Sequence, residues 1–260
     1  MHQDGMDVRP LRELTGRALF NEVFMTDARV PDAAIIGGTN NGWAVANTTL
    51  MFERAGLGAG GSGGGSMASP GQIAGDLDKR AGDFTSGGAR RRSGPEQGGG
   101  GGRRGNMYVE LAKSKGKIDD PVVRQGLAKL HTLNEIAKYN NLRSKAARAA
   151  GQPDIPGLPN IAKLSMSDIL RLQRDLGLGL LGPAGTLHGY TSEQSQALTE
   201  ATGDPFTALF TEGALFAQGP PIYGGTDQIQ RNIIGERVLG LPKEPNQDKV
   251  LPFKDLPKNG

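Results

Sequence analysis

The chain has 260 residues, of which 41 are glycine and 36% are apolar, with a formal charge of +3; it can bury one or two cores but not along its whole length. It has no cysteine, which excludes a disulfide framework, a thiolate nucleophile and a sulfur-based zinc site, and its three histidines, His2, His131 and His188, lack metal-ligand spacing. No apolar run reaches the roughly 18 residues of a membrane span, and no basic and apolar export signal opens the chain, so a cytoplasmic location without membrane contact is expected by default.

Two short β-like stretches come first, at residues 8–12 and 18–24, where Phe20, Val23 and Phe24 favour extended backbone. Two strands are marginal alone, so they are expected either to join strands from elsewhere or to mark a chain that begins inside a domain. Residues 41–57 turn helical: Trp43, Ala46, Leu50 and Leu57 fall on one narrow arc of a 3.6-residue wheel, with Glu53 at its edge.

Residues 56–105 are glycine-rich and carry the arginine clusters Arg90–Arg92 and Arg103–Arg104 among few large apolar side chains. Such a stretch does not offset its own ordering entropy, and a flexible insertion is expected at about 58–105. The clustered positive charge therefore belongs to one segment, and with Phe84 its only aromatic, nucleic acid is not an expected partner. Gly56–Gly61 and Gly177–Gly182 both match G-x-G-x-x-G, but each follows a helical pattern rather than a strand, which excludes a dinucleotide fingerprint.

Helices are expected near 107–115, 121–150, 165–181, 193–201, 206–217 and 226–239. Starts are marked by Pro121 after two aspartates, by Ser165 with Asp168, and by Thr191 with Gln194. Val123, Leu127, Leu130, Leu133, Ile136 and Ala137 form a core-facing stripe, and the short connections imply a helical bundle. Residues 242–260, rich in proline and lysine, read as an extended arm.

Tyr223-Gly224-Gly225-Thr226 is a glycine-loosened turn that opens the last helix, with Thr226 as its N-cap. Uncommitted backbone N–H groups there suit an oxyanion, a phosphate or a polarised carbonyl; an ordinary capped helix has the same features.

The run from Tyr223 to Arg231 resembles the Tyr-Glu-Gly-Thr-x-x-Ile-Gln signature near the C-terminus of acyl-CoA dehydrogenases. Phe20–Pro31 resembles the end of that family's middle β-domain, and Asn41-Gly42-Trp43 the entry to its C-terminal helical domain. The glycine-rich insertion and Gly235–Pro242 are similar to the actinobacterial branch. The resemblance covers nearly the whole chain apart from the insertion. It implies a mainly α fold: the C-terminal helical bundle at 37–241, preceded by a remnant of the β-domain at 1–36 and followed by the tail at 242–260.

It also implies α,β-dehydrogenation of an acyl-CoA thioester with FAD. In this chemistry a carboxylate removes the α proton while the β carbon passes hydride to the flavin, and donors hold the thioester carbonyl. By position Gly224 supplies the backbone N–H, with Tyr223 beside the substrate, and Thr226 and Gln228 touch the flavin. Gly182 and Gly185 match a loop near the cofactor of an adjacent subunit, although Pro183 alters it. A dimer or tetramer and an electron-transfer flavoprotein as acceptor are implied as partners.

Gly224 replaces the glutamate that is the usual base. Isovaleryl-CoA and long-chain acyl-CoA dehydrogenases also lack it and carry the base in a Leu-x-x-Glu-Arg context, which Leu50-Met51-Phe52-Glu53-Arg54 matches. Glu53 is thus the implied base, partly desolvated at the edge of an apolar face; a salt bridge with a neighbouring arginine is its other reading. Arg54 matches a position that contacts CoA, or serves in an ion pair. Lys113–Gly116 keeps only the glycine of the usual Arg-x-x-Phe-Gly flavin motif. Family members carry an N-terminal helical domain and a complete β-domain, so a truncated chain, or one needing a complementary polypeptide, is expected. The alternative is a non-catalytic subunit or scaffold completing a hetero-oligomer.

Overall fold

A computed structural model describes residues 3–18, 20–58, 101–153, 155–243, 247 and 250–256, without the side chains of 53–58, 101–106 and 253. Strands β1 (Met6–Leu11) and β2 (Phe20–Met25) form an antiparallel hairpin with Val8 opposite Val23 and Leu11 opposite Phe20. A bond from the Thr26 N–H to the Gly5 carbonyl at 2.8 Å closes its open end and shifts both strands from the expected 8–12 and 18–24. The two strands pair only with each other among the described residues, and Phe20, Val23, Phe24 and Met25 stay exposed.

Seven helices follow among the described residues: α1 (Gly42–Gly58), α2 (Gly101–Ser114), α3 (Pro121–Ala149), α4 (Leu158–Leu181), α5 (Ser192–Thr202), α6 (Thr207–Phe216) and α7 (Asp227–Ile233). α4 is the hub, packed against α1, α2, α3, α6 and α7. Leu111, Ala112, Leu180, Leu181 and Phe210 form the buried centre, and Tyr108 meets Phe210 edge-on at 4.9 Å. Gly177 lies inside α4, where a Cβ would reach Phe210 at 3.2 Å. Its motif thus serves close helix packing, in keeping with the absence of a strand before it.

Several expectations are corrected. α2 begins at Gly101 rather than near residue 107, because a helix anchored by buried Leu111 and Ala112 extends backward at little cost. Residues 59–100 of the expected insertion lie outside the described residues. α4 starts at Leu158 rather than at Ser165: Pro159 fits a first turn, Gly157 precedes it at φ +74°, and Ser165 is interior. The last helix keeps α geometry only to Ile233 and passes into a π turn over Ile234–Val238. On α3 the expected stripe holds at buried Leu130, but Ile136 is exposed.

Asp120 caps α3 through the Val122 and Val123 N–H groups, and Thr191 caps α5 through the Gln194 N–H, as expected. The apolar arc of α1 does not face this chain's core: Trp43 is 81% exposed, and Leu50 and Phe52 are exposed too, while Leu57's side chain lies outside the described residues.

Candidate functional site

α4 carries four polar residues, Asn160, Lys163, Ser167 and Arg171, at helical spacing, and α7 packs against α4 where they lie. Lys163, 0% exposed, donates to the Pro220 carbonyl and lies 3.7 Å from Asp227, itself 2% exposed. Arg171 donates to the other Asp227 oxygen and, at 3.0 Å, to Asp168. Burial pushes the Lys163 ammonium below its ordinary range, against the pull of Asp227. Burial alone would raise Asp227, but the Arg171 hydrogen bond, nearby Ser167 and the two cations outweigh it and hold the carboxyl below its usual range.

This cluster fixes both ends of the loop from Pro220 to Asp227. Within the loop, Tyr223 N–H reaches the Gly219 carbonyl at 3.2 Å and Asp227 N–H the Pro221 carbonyl at 3.1 Å. Gly224 and Gly225 sit at φ +64° and +84°, left-handed backbone that favours glycine at both positions. Buried Gln230 donates through Nε2 to the Gly224 carbonyl at 2.9 Å and the Gly225 carbonyl at 3.4 Å, and its Oε1 accepts from Asn160 at 2.7 Å. Both glycine carbonyls are thereby turned toward the bundle. Among the described residues the Gly224 and Gly225 N–H groups meet no acceptor.

Thr226 caps α7 by accepting the Ile229 N–H at 3.2 Å, and Gln228 is exposed beside it. Tyr223 packs its ring near Gly219, where a Cβ would meet it at 3.1 Å, and burial raises its phenol above the usual range. Tyr223, Gly224, Thr226 and Gln228 thus share one turn. Gly182 and Gly185 do not: Gly182 caps the far end of α4, about 28 Å along its axis from Lys163 at about 1.5 Å per residue, and Gly185 lies in the 3-10 turn that follows. Glu53 and Arg54 have helical backbone in α1, which packs on α4, but their side chains lie outside the described residues. Lys115 pairs with Asp204 at 2.9 Å, and Gly116 follows the end of α2 at φ +63°.

A second polar cluster docks the hairpin loop on the bundle. Arg17 pairs with Glu212 at 2.5 Å, His188 hydrogen-bonds Thr211 at 3.1 Å, and Tyr190 lies edge-on to His188 at 4.6 Å. Burial raises the Glu212 carboxyl above its usual range, with Arg17 and His188 opposing.

Neither cluster was singled out by motif. The spacing of Asn160, Lys163, Ser167 and Arg171 is a polar stripe on a largely apolar helix and was the available signal.

Residues 107–239 match the family profile "Acyl-CoA dehydrogenase, C-terminal domain". "Acyl-CoA dehydrogenase IpdE1" of Mycolicibacterium smegmatis (strain ATCC 700084 / mc(2)155) is 31% identical over 246 residues, 94% of this chain and 48% of that protein. The protein of the same name from Mycobacterium tuberculosis (strain ATCC 25618 / H37Rv) is 30% identical over 94% of this chain and 50% of its own length. The chain thus spans about half the length of these curated relatives. Among solved structures, "Tcur3481-Tcur3483 steroid ACAD" superposes with a TM-score of 0.60 at 19% identity, over 93% of this chain and 50% of that one. The ChsE4-ChsE5 complex from Mycobacterium tuberculosis gives 0.58 at 22% identity, over the same shares, 93% and 50%. At these identities the likeness concerns the fold, a helical bundle behind a small β element.

Proposed function

Because the chain belongs to the acyl-CoA dehydrogenase family, we propose that it supplies the helical part of a flavoenzyme that removes hydrogen from the α and β carbons of an acyl-CoA thioester. The observation that carries this reading is the Tyr223–Thr226 turn: two left-handed glycines, their carbonyls tied inward by Gln230, and N–H groups left for an outside acceptor. In the proposed complex the Gly224 N–H donates to the thioester oxygen, which gains negative charge as the α proton leaves, so that the donor binds the transition state more tightly than the substrate. Glu53 takes that proton, since Gly224 leaves the turn without a carboxylate. Arg54, next in α1, faces the CoA part of the substrate in this reading.

The residues at the turn fit a flavin. The Thr226 oxygen accepts the Ile229 N–H, which leaves its hydroxyl proton for a ring acceptor, and Gln228 adds an exposed amide on the same edge. A Cβ on Gly182 would meet nothing within 4 Å, so the far loop is open to a cofactor held in an adjacent subunit. When bound, FAD supplies the two-electron acceptor for the β hydrogen. An electron-transfer flavoprotein is the proposed onward acceptor.

The proposed assembly is oligomeric, with 1–36 as a β-domain segment and 37–241 as the helical domain. Support comes from the large apolar side chains that α1 and the hairpin leave exposed, among them Trp43, Met51, Phe52, Phe20 and Met25. A supporting-subunit reading is kept by Gly224, which lacks the turn carboxylate: a colourless chain that restores activity to a partner would establish it.

Anaerobic mixing of the flavin-loaded assembly with acyl-CoA thioesters tests the main reading. Bleaching of the oxidised flavin band is expected; a flavin that stays oxidised with straight, branched and steroid-type thioesters alike refutes it.

A further inference from the structure

Gln230 is fully buried, yet it has no ion-pair or apolar task that would explain an amide at that place. Two carbonyls, Gly224 and Gly225, face the same end of its side chain, at 2.9 and 3.4 Å. Carbonyls only accept, so that end must be Nε2; Oε1 then needs a donor, and Asn160 Nδ2 provides one at 2.7 Å. The network therefore has one consistent amide orientation.

Its mechanical effect is on glycines. Without a Cβ, Gly224 and Gly225 leave their peptide planes free to rotate, and a turn whose N–H groups must aim at one oxygen gains from a tether on the opposite side. The Gly224 carbonyl shares its peptide plane with the Gly225 N–H, and the Gly225 carbonyl shares its own with the Thr226 N–H. Each bond accepted from Gln230 polarises those two planes and their Gly225 and Thr226 N–H groups, while the Gly224 N–H, in the plane before them, is held in direction because the plane that follows it is fixed. A Cβ on Gly225 would lie 2.6 Å from Nε2, so the tether fits against the turn without slack.

We propose that Gln230, seated by Asn160, is a positioning residue that fixes the Gly224–Gly225 turn so that the Gly224 N–H aims at the substrate's thioester carbonyl. This rests on the reading above that the turn binds that carbonyl. Lys163 and Asp227 hold the ends of the loop; Gln230 sets the direction of its middle.

The test uses the flavin-loaded protein and cinnamoyl-CoA as a conjugated thioester probe, with the carbonyl stretching frequency read by difference infrared or Raman spectroscopy. The parent is expected to lower the frequency relative to the probe in water. Gln230→Met, of similar volume but without hydrogen bonds, is expected to lose about half or more of that shift while keeping its flavin. Asn160→Ala, which leaves both Gln230 and the turn in place, is expected to lose a smaller part and serves if Gln230→Met does not fold. Loss of thermal stability with the full shift retained in both variants overturns the proposal and leaves the carbonyl-binding reading standing. No shift in the parent removes that reading, and the proposal with it.

Discussion

Lys163 and Asp227 face each other at 3.7 Å, with the ammonium and carboxylate each withdrawn almost wholly from water. A buried pair of this kind persists because each charge has further partners: the Pro220 carbonyl for Lys163 and the Arg171 guanidinium for Asp227. The pair therefore joins α4 to both ends of the loop that carries Gly224. Lys163→Met is expected to cost about 3 kcal/mol in urea denaturation, because it leaves the Pro220 carbonyl unpaired and Asp227 with one cation. A loss below about 1 kcal/mol would mean that the pair adds little beyond packing.

Gly225→Ala should break the turn while leaving the bundle folded. The new Cβ would combine φ +84° with a 2.6 Å approach to Gln230 Nε2. We expect a loss of about 2 kcal/mol or more, and acyl-CoA binding at least tenfold weaker by titration, to order of magnitude. Unchanged binding would separate the turn from the substrate.

Acid should act on Asp227 and Glu212 with opposite signs. Asp227 is held below its ordinary range, so its contribution is present above the unfolded value of about 3.9 and is lost as pH falls through the folded value. Glu212 is raised by burial, so its contribution is present below about 4.3 and is lost as pH rises through its folded value. Denaturation midpoints of Glu212→Gln should therefore gain on the parent as pH rises from about 4 to 7, and the deficit of Asp227→Asn should shrink below about pH 4. A pH-independent difference for either variant contradicts the corresponding assignment.

Trp43, the single tryptophan, is 81% exposed at the start of α1. In the isolated chain its emission should be that of a hydrated indole, open to acrylamide quenching, and it should shift to the blue on assembly with further chains. An indole already shielded in the isolated chain would contradict the exposed face.

Much of the bundle was legible in the sequence because its signals are local. The caps at Asp120, Thr191 and Thr226 lie within three residues of the N–H groups they satisfy. The start of α4 was not legible: Gly157-Leu158-Pro159 carries loop-forming residues, and only packing decides that Pro159 begins a helix rather than interrupting one. At the site, Tyr223 to Thr226 stood out by glycine content and capping. Gln230 stood there only as the last residue of the matched signature, and its task was not legible, because it depends on Asn160, 70 residues away, and on peptide planes whose direction no periodicity encodes. The outward face of α1 reads as an ordinary core stripe; its exposure is a property of this chain's packing, not of its pattern.

The proposed dehydrogenation stands most directly on Glu53. Stopped-flow mixing of acyl-CoA with the flavin-loaded assembly, parent against Glu53→Gln, reads the step in which that residue acts. The account predicts that the variant keeps its flavin and binds the thioester, but loses flavin bleaching by at least about a thousandfold. Bleaching at the parental rate in Glu53→Gln would contradict it.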